Sequence, residues 1–200
     1  MPKGPAKGCC SCSCLISTTI SAIFIWLAFR ILTPTCSFEE FDVFTLQKPA
    51  NNNTIHYDLK LKNRNFNKGI YYDTLNITFY YKPNIQSLPI GNITILPFYQ
   101  GYGKSTHRVG DFDPKGVKLE NVTVEAVFSV ELAAAVRYKS PLWKTRRRFL
   151  VKGDLKVNGQ GSLIKDKGNH GIKLRSAAGR SVDSFGVGGI LGILFFINLV

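Results

Sequence analysis

The sequence predicts an all-β fold, an antiparallel β-sandwich of immunoglobulin or fibronectin III shape, preceded by an N-terminal transmembrane helix. Three observations predict it. Apolar residues alternate with a period of two between positions 37 and 160, turn residues punctuate those runs, and one apolar stretch of 18 residues precedes them.

The apolar stretch, Leu15 to Leu32, interrupts its aliphatic run only with small hydroxyls and Arg30. We place an anchor over residues 15–33 and a Cys-rich cytoplasmic stub over 1–14. Lys3 and Lys7 precede it while Glu39, Glu40 and Asp42 follow, which favours an inside N-terminus and a translocated remainder. A buried core helix and a cleaved signal are the rivals. Thr33-Pro34-Thr35 is a poor small-x-small cleavage site, because proline occupies its middle. Cys9, Cys10, Cys12 and Cys14 crowd the stub, as candidates for S-palmitoylation beside a membrane. Unmodified thiols are the plain alternative, and metal binding would need ligands spaced for a tetrahedron.

In the body, Ile55, Tyr57, Leu59 and Leu61 alternate with His56, Asp58, Lys60 and Lys62. Leu75, Ile77, Phe79 and Tyr81 repeat the pattern, and the longest run extends from Val122 to Val136. A last strand sets Phe149, Val151, Leu155 and Val157 inward. Asn65 to Gly69, Lys82-Pro83-Asn84, Asp113 to Gly116 and Asn158-Gly159 read as turns. The sandwich is assigned to residues 37–160, a basic and polar linker to 161–184, and an apolar tail to 185–200. Small residues, a polar spacer and that tail resemble a glycosylphosphatidylinositol signal, with Ser176 the candidate attachment site. A second span is the alternative. Asn-x-Thr sequons at Asn52, Asn76, Asn92 and Asn121 all follow the anchor and suit a secreted domain.

The chain carries a net charge of +13, which is unevenly placed. Residues 1–136 carry +3, residues 137–180 carry +11 and the last 20 carry −1. Trp143, Lys144, Arg146, Arg147 and Arg148 form the densest stretch. On a translocated domain that stretch suits acidic wall polysaccharide or anionic lipid rather than nucleic acid. A solvated edge strand is the bland reading. In Gly69 to Asp73, adjacent Tyr71 and Tyr72 put one ring on each face of a strand, as a core anchor or as a partner-binding patch.

The residues offer no catalytic constellation. His56, His107 and His170 lie far apart, and no nucleophile elbow, metal-ligand spacing or phosphate-cradling loop occurs. We expect a non-enzyme with no catalytic residue, no metal and no cofactor.

The cysteine cluster, Ile25-Trp26-Leu27, Pro34 to Ser37, Asn67 to Asp73, Phe98 to Gly101, Val136 to Lys139, Trp143 to Thr145 and Val157 to Gly159 occur in a family order. With these motifs the chain resembles the plant harpin-induced-like and non-race-specific disease resistance family over nearly its whole length. Phe66 stands where that family commonly has proline, and Tyr102-Gly103 replaces a His-Lys-like pair. The resemblance implies a late-embryogenesis-abundant type 2 sandwich at the plasma membrane, acting in defence signalling through protein partners or wall contacts, with self-association as a further contact. A membrane–wall tether, a stress-protective role and a lipid-binding sandwich are the alternatives.

Overall fold

The computed structural model describes residues 10–46, 54–83, 87–116, 125–139, 144–165, 168 and 170–176. The four strand runs read from the sequence all form, and others join them. Helix α1 (Cys10–Phe29) is followed by β1 (Thr35–Val43), a 3-10 turn at Phe44–Leu46, β2 (Ile55–Lys62), β3 (Gly69–Tyr72), β4 (Leu75–Tyr81) and β5 (Leu88–Ile95). Then come β6 (Phe98–Gln100), β7 (Ser105–Phe112), β8 (Glu125–Lys139), β9 (Lys144–Asn158), β10 (Ile172–Lys173) and β11 (Arg175–Ser176).

The helix ends at Phe29, short of the expected 33, and beyond it the backbone groups of Arg30 and Leu32 bond to the side chains of Lys68 and Asn65. Side chains of α1 are described over residues 14–27. Among the described residues, no helix is long and apolar enough to cross a membrane. Thr18 and Thr19 return their hydroxyls to the carbonyls of Cys14 and Leu15, which satisfies those polar atoms within the helix.

Two antiparallel sheets face each other. One has the order β10-β1-β2-β7, and the other runs β11-β9-β8-β3-β6, with β4 also on β8 and β5 outside β4. Strands β3 and β4 lie end to end along β8, at Val136–Lys139 and Phe128–Ala133. The alternation therefore buries Ala126, Phe128, Val130, Leu132, Ala134 and Val136 as expected. The expected Val122–Val124 start of this run lies outside the described residues. In β1 the pairing shifts between Phe38 and Glu40, so the inward set changes parity from Cys36 and Phe38 to Phe41 and Val43. Between the sheets Phe79 stacks on Phe41 and Phe112, at centroid distances of 5.9 Å and 4.6 Å, with Tyr57 at 5.8 Å. These rings fill the centre of the sandwich.

The folded body does not stop at 160. Within the expected linker, β10 pairs with β1, β11 pairs with β9 at Lys152 and Val151, and Leu174 between them is buried. Two-residue strands are too short to show a period, so the sequence reads there as linker. Gly153 makes room for this closure, since a Cβ on it would lie 2.6 Å from Leu174 Cδ2.

The end of the sandwich next to α1 is held by buried amides. Asn65 Nδ2 donates to the Leu32 carbonyl at 2.9 Å, and Leu32 N–H donates back to Asn65 Oδ1 at 2.8 Å. Asn63 Oδ1 accepts from Asn65 Nδ2, and its own amide donates to the carbonyls of Lys68 and Gly101. Buried Lys68 donates from Nζ to Asn67 Oδ1 at 2.9 Å and to the Arg30 carbonyl at 3.3 Å. The chain leaving the helix is thus seated in the sandwich through residues 30–32. Replacing Asn65 by Ala removes three side-chain hydrogen bonds, one buried and two part-buried, and should cost about 2–4 kcal/mol, read as a lower urea midpoint. Phe66→Ala, one residue on at an 89% exposed side chain, should change it by less than about 0.5 kcal/mol.

Candidate functional site

The ladder carries four side chains from four strands into one row. Arg146 on β9 lies opposite Arg137 on β8, Arg137 opposite Tyr71 on β3, and Tyr71 opposite Tyr99 on β6. Directly paired residues share a face, and here the face is the outer one, with all four side chains exposed. The tyrosine rings meet at a centroid distance of 4.6 Å. Gly69 allows this, because a Cβ there would collide with the Tyr99 hydroxyl. Two arginines directly across a ladder repel each other. Asp73 sits between them: Arg137 reaches its Oδ1 at 3.0 Å and Arg146 its Oδ2 at 2.9 Å. One carboxylate therefore fixes two guanidinium groups beside a pair of stacked tyrosines.

Among the residues expected to form a partner patch, Tyr71 and Arg146 come together. Tyr72 does not join them. It faces the core, donates its hydroxyl to Gln100 Oε1 at 2.9 Å and stacks on Phe98, and burial pushes its phenol well above the ordinary range. The strand's parity dictates this, since its neighbour Tyr71 takes the outer face. Arg147 is exposed but opposite Val136, so it belongs to the inner side, near Tyr138. Burial pushes the Tyr138 phenol up to about 12, against the pull of the Arg147 charge. Arg148 is back on the outer face and, with Thr74, Asn76, Ala133 and Leu150, lines a groove of about 460 Å³. Lys144 pairs its backbone with Lys139. Its side chain and the whole of Trp143 lie outside the described residues. Sequence reasoning missed Asp73, Tyr99 and Arg137 as site residues, because only the register of β3, β6 and β8 joins them.

A second charged surface follows β9 toward the chain's later strands. Lys152, Lys156, Lys165, Lys173 and Arg175 line a cleft of about 510 Å³ around Asp154. Lys152 pairs with Glu131 at 3.1 Å and Lys156 with Glu125 at 3.4 Å. The Lys82 ammonium, 2.8 Å from Asp154, holds that carboxyl below its usual range. Among the described residues Lys165, Lys173 and Arg175 have no ion-pair partner.

The remaining expected sites fall as follows. Asn76 and Asn92 are exposed on the β4–β5 hairpin, two rungs apart, and accessible to glycans. Asn52 and Asn121 lie outside the described residues. Cys14 is exposed on α1, whereas Cys9 and the side chains of Cys10 and Cys12 lie outside them. Ser176 is exposed, with its backbone against Val151. Buried Cys36 has its thiol pushed up to about 12 by desolvation, which makes it an unreactive core residue. His56 and His107 each face an aspartate on the neighbouring strand, Asp111 at 2.6 Å and Asp58 at 2.8 Å. Among the described residues no cluster of three metal-ligating side chains occurs.

Replacing Asp73 by Asn leaves Arg137 and Arg146 facing each other without their shared carboxylate. A loss of about 1 kcal/mol is expected at low salt. The loss should shrink in about 1 M salt, where charges are screened within ~3 Å, as read by denaturant titration at the two ionic strengths.

No protein-family model matches the chain. Two curated plant proteins do, both from Arabidopsis thaliana. Protein NDR1 is 33% identical, with 97% of this chain and 92% of that protein covered. NDR1/HIN1-like protein 10 is 26% identical, over 76% of this chain and 70% of its own length. Identity of 33% to Protein NDR1 over nearly the whole of both chains places this chain in the NDR1/HIN1-like family.

Proposed function

We propose that the chain acts in plant defence as a non-enzymatic, membrane-anchored module whose sandwich engages a protein partner through the row Arg146–Arg137–Tyr71–Tyr99. One observation carries the reading: four exposed side chains, rich in tyrosine and arginine, are held in fixed register on one sheet face. Tyrosine and arginine are the residue types that dominate interface energetics. Asp73 holds the guanidinium groups in place before any partner arrives, so less side-chain entropy is lost on binding.

Helix α1 supplies the anchor in this proposal. Leu15, Ile16, Ile20, Ile23, Phe24 and Leu27 are exposed around it, and a helix that is apolar all round asks for lipid. The described residues of α1 do not by themselves reach the length and apolarity of a membrane span. The anchor in this proposal therefore rests on those exposed apolar side chains and on the basic residues that precede them. The stub with Cys9, Cys10, Cys12 and Cys14 then lies in the cytoplasm for acylation, and the sandwich lies outside the plasma membrane. Glycans on Asn76 and Asn92 would cover β4 and β5 and leave the tyrosine–arginine row open. Ser176 closes the last strand, so a lipid exchanged onto it would hold the domain at its other end.

The test is complementation of plants lacking the protein, challenged with an avirulent bacterium. Tyr71→Ser combined with Arg146→Glu should fold, reach the cell surface at the normal level and fail to restore resistance. Full resistance with that variant overturns the assignment of the row. Tyr72→Ala should instead lose folded protein, since removing a buried aromatic side chain costs about 3–5 kcal/mol.

The cleft of Lys152, Lys156, Lys165, Lys173 and Arg175 favours a second reading, a structural tether to acidic wall polysaccharide. The triple variant Lys165→Gln, Lys173→Gln and Arg175→Gln should lower the salt-sensitive retention of the protein on pectate. Absence of retention at low ionic strength in the unsubstituted protein overturns this reading.

A further inference from the structure

Two exposed aromatic residues stand on neighbouring loops at the end of the sandwich that receives α1. Phe66 follows Asn65, whose side chain grips Leu32, and it is 89% exposed. Tyr102, 64% exposed, precedes Gly103, whose N–H donates to the Asn65 carbonyl at 3.0 Å. The two loops are thus tied to each other and to the segment leaving the helix. Around them Arg30, Lys62, Arg64 and Lys104 are exposed. Residues 28–38, 59–72 and 98–110, which build this tip, contain no Asp or Glu.

Chain length limits what can cover the tip. Leu32, the clamped residue, is the third residue after the end of α1 at Phe29. Three extended residues reach about 11 Å at most, and Ile31 shortens this reach by packing against the core. A headgroup layer is itself roughly 5–8 Å thick on each side of the hydrocarbon. The Arg30 guanidinium lies 5.0 Å from the centre of the Trp26 ring, so aromatic and cationic groups already share this level of the helix.

We propose that the tip lies in the headgroup layer of the bilayer that α1 enters, with Phe66 and Tyr102 as interfacial aromatic anchors and Arg30, Lys62, Arg64 and Lys104 on lipid phosphates. The inference rests on the anchored reading of α1. It deepens that reading by fixing which end of the sandwich is wetted by lipid. The tyrosine–arginine row, which crosses the strands two residues in from the Gly69–Lys139 rung, then runs along the bilayer surface just above the tip loops, and the far end at Leu88 and Tyr81 points away.

The test uses the full chain reconstituted in phosphatidylcholine nanodiscs, with and without bromine on the acyl chains. Phe66→Trp, Tyr102→Trp and, at the far end, Leu88→Trp are compared with the unsubstituted chain, whose Trp26 and Trp143 supply the background. Bromine should quench the added tryptophans at 66 and 102 several-fold more than the one at 88. Resistance to alkaline carbonate extraction is measured on the same samples. A chain that carbonate extracts overturns the anchored reading itself. A chain that resists, with quenching at 66 and 102 no greater than at 88, overturns the proposal alone. Shielding of those residues from aqueous acrylamide without bromine quenching would show a second copy or another protein on the tip, which also overturns it.

Discussion

The pairing of β8 with β9 is the constraint on which the rest of the structure depends. It runs unbroken from Glu125 opposite Asn158 to Lys139 opposite Lys144. Along its other edge β8 holds β3 and then β4, so one strand sets the height of every residue on the larger sheet. The alternation of β8 sends Phe128, Val130, Leu132 and Val136 into the ring cluster. The same alternation forces Arg137 outward into line with Arg146 and Tyr71. Core and candidate surface are two faces of one register, and a one-residue slip would exchange them.

That register sets Arg137 opposite Arg146 and places carboxylates beside several of the basic side chains of β8 and β9. Asp73 answers the Arg137–Arg146 pair, Glu131 answers Lys152 and Glu125 answers Lys156. Ion pairs this exposed each contribute little stability, about 0–1 kcal/mol. Their effect lies in orientation, since they hold long side chains in chosen directions. Lys165, Lys173 and Arg175, which have no such partner among the described residues, all line the cleft beside β10 and β11. The positive charge concentrated late in the sequence is therefore spread over β8 and β9, with one carboxylate shared by two arginines in the row, and over a more open cleft.

Much of this was legible in the residues, for reasons that can be named. Period-two patterns at Ile55–Leu61, Leu75–Tyr81 and Ala126–Val136 mark strands because each has one buried face. Tyr71 and Tyr72 were separable by parity alone. Tyr99 was not readable as their neighbour, because its pairing with Tyr71, 28 residues earlier, leaves no local pattern. Asp73 gives no signal of its role without Arg137 and Arg146 beside it. The strands at Ile172–Lys173 and Arg175–Ser176 were read as linker, since two residues cannot display a period. Asn65 and Lys68 read as ordinary turn residues, and their burial follows from the chain segment they receive.

The bond from Asn65 to Leu32 has a mechanical consequence. A domain on a slack tether swivels freely, and what happens to it stays with it. Here the slack is taken up within three residues of the helix, and Arg30 and Leu32 are bonded into the domain's own interior. Any load on the sandwich would reach the last turn of α1 through the bonds that Asn65 and Lys68 make to Leu32 and Arg30, so the seat at residues 30–32 couples the domain to the helix end.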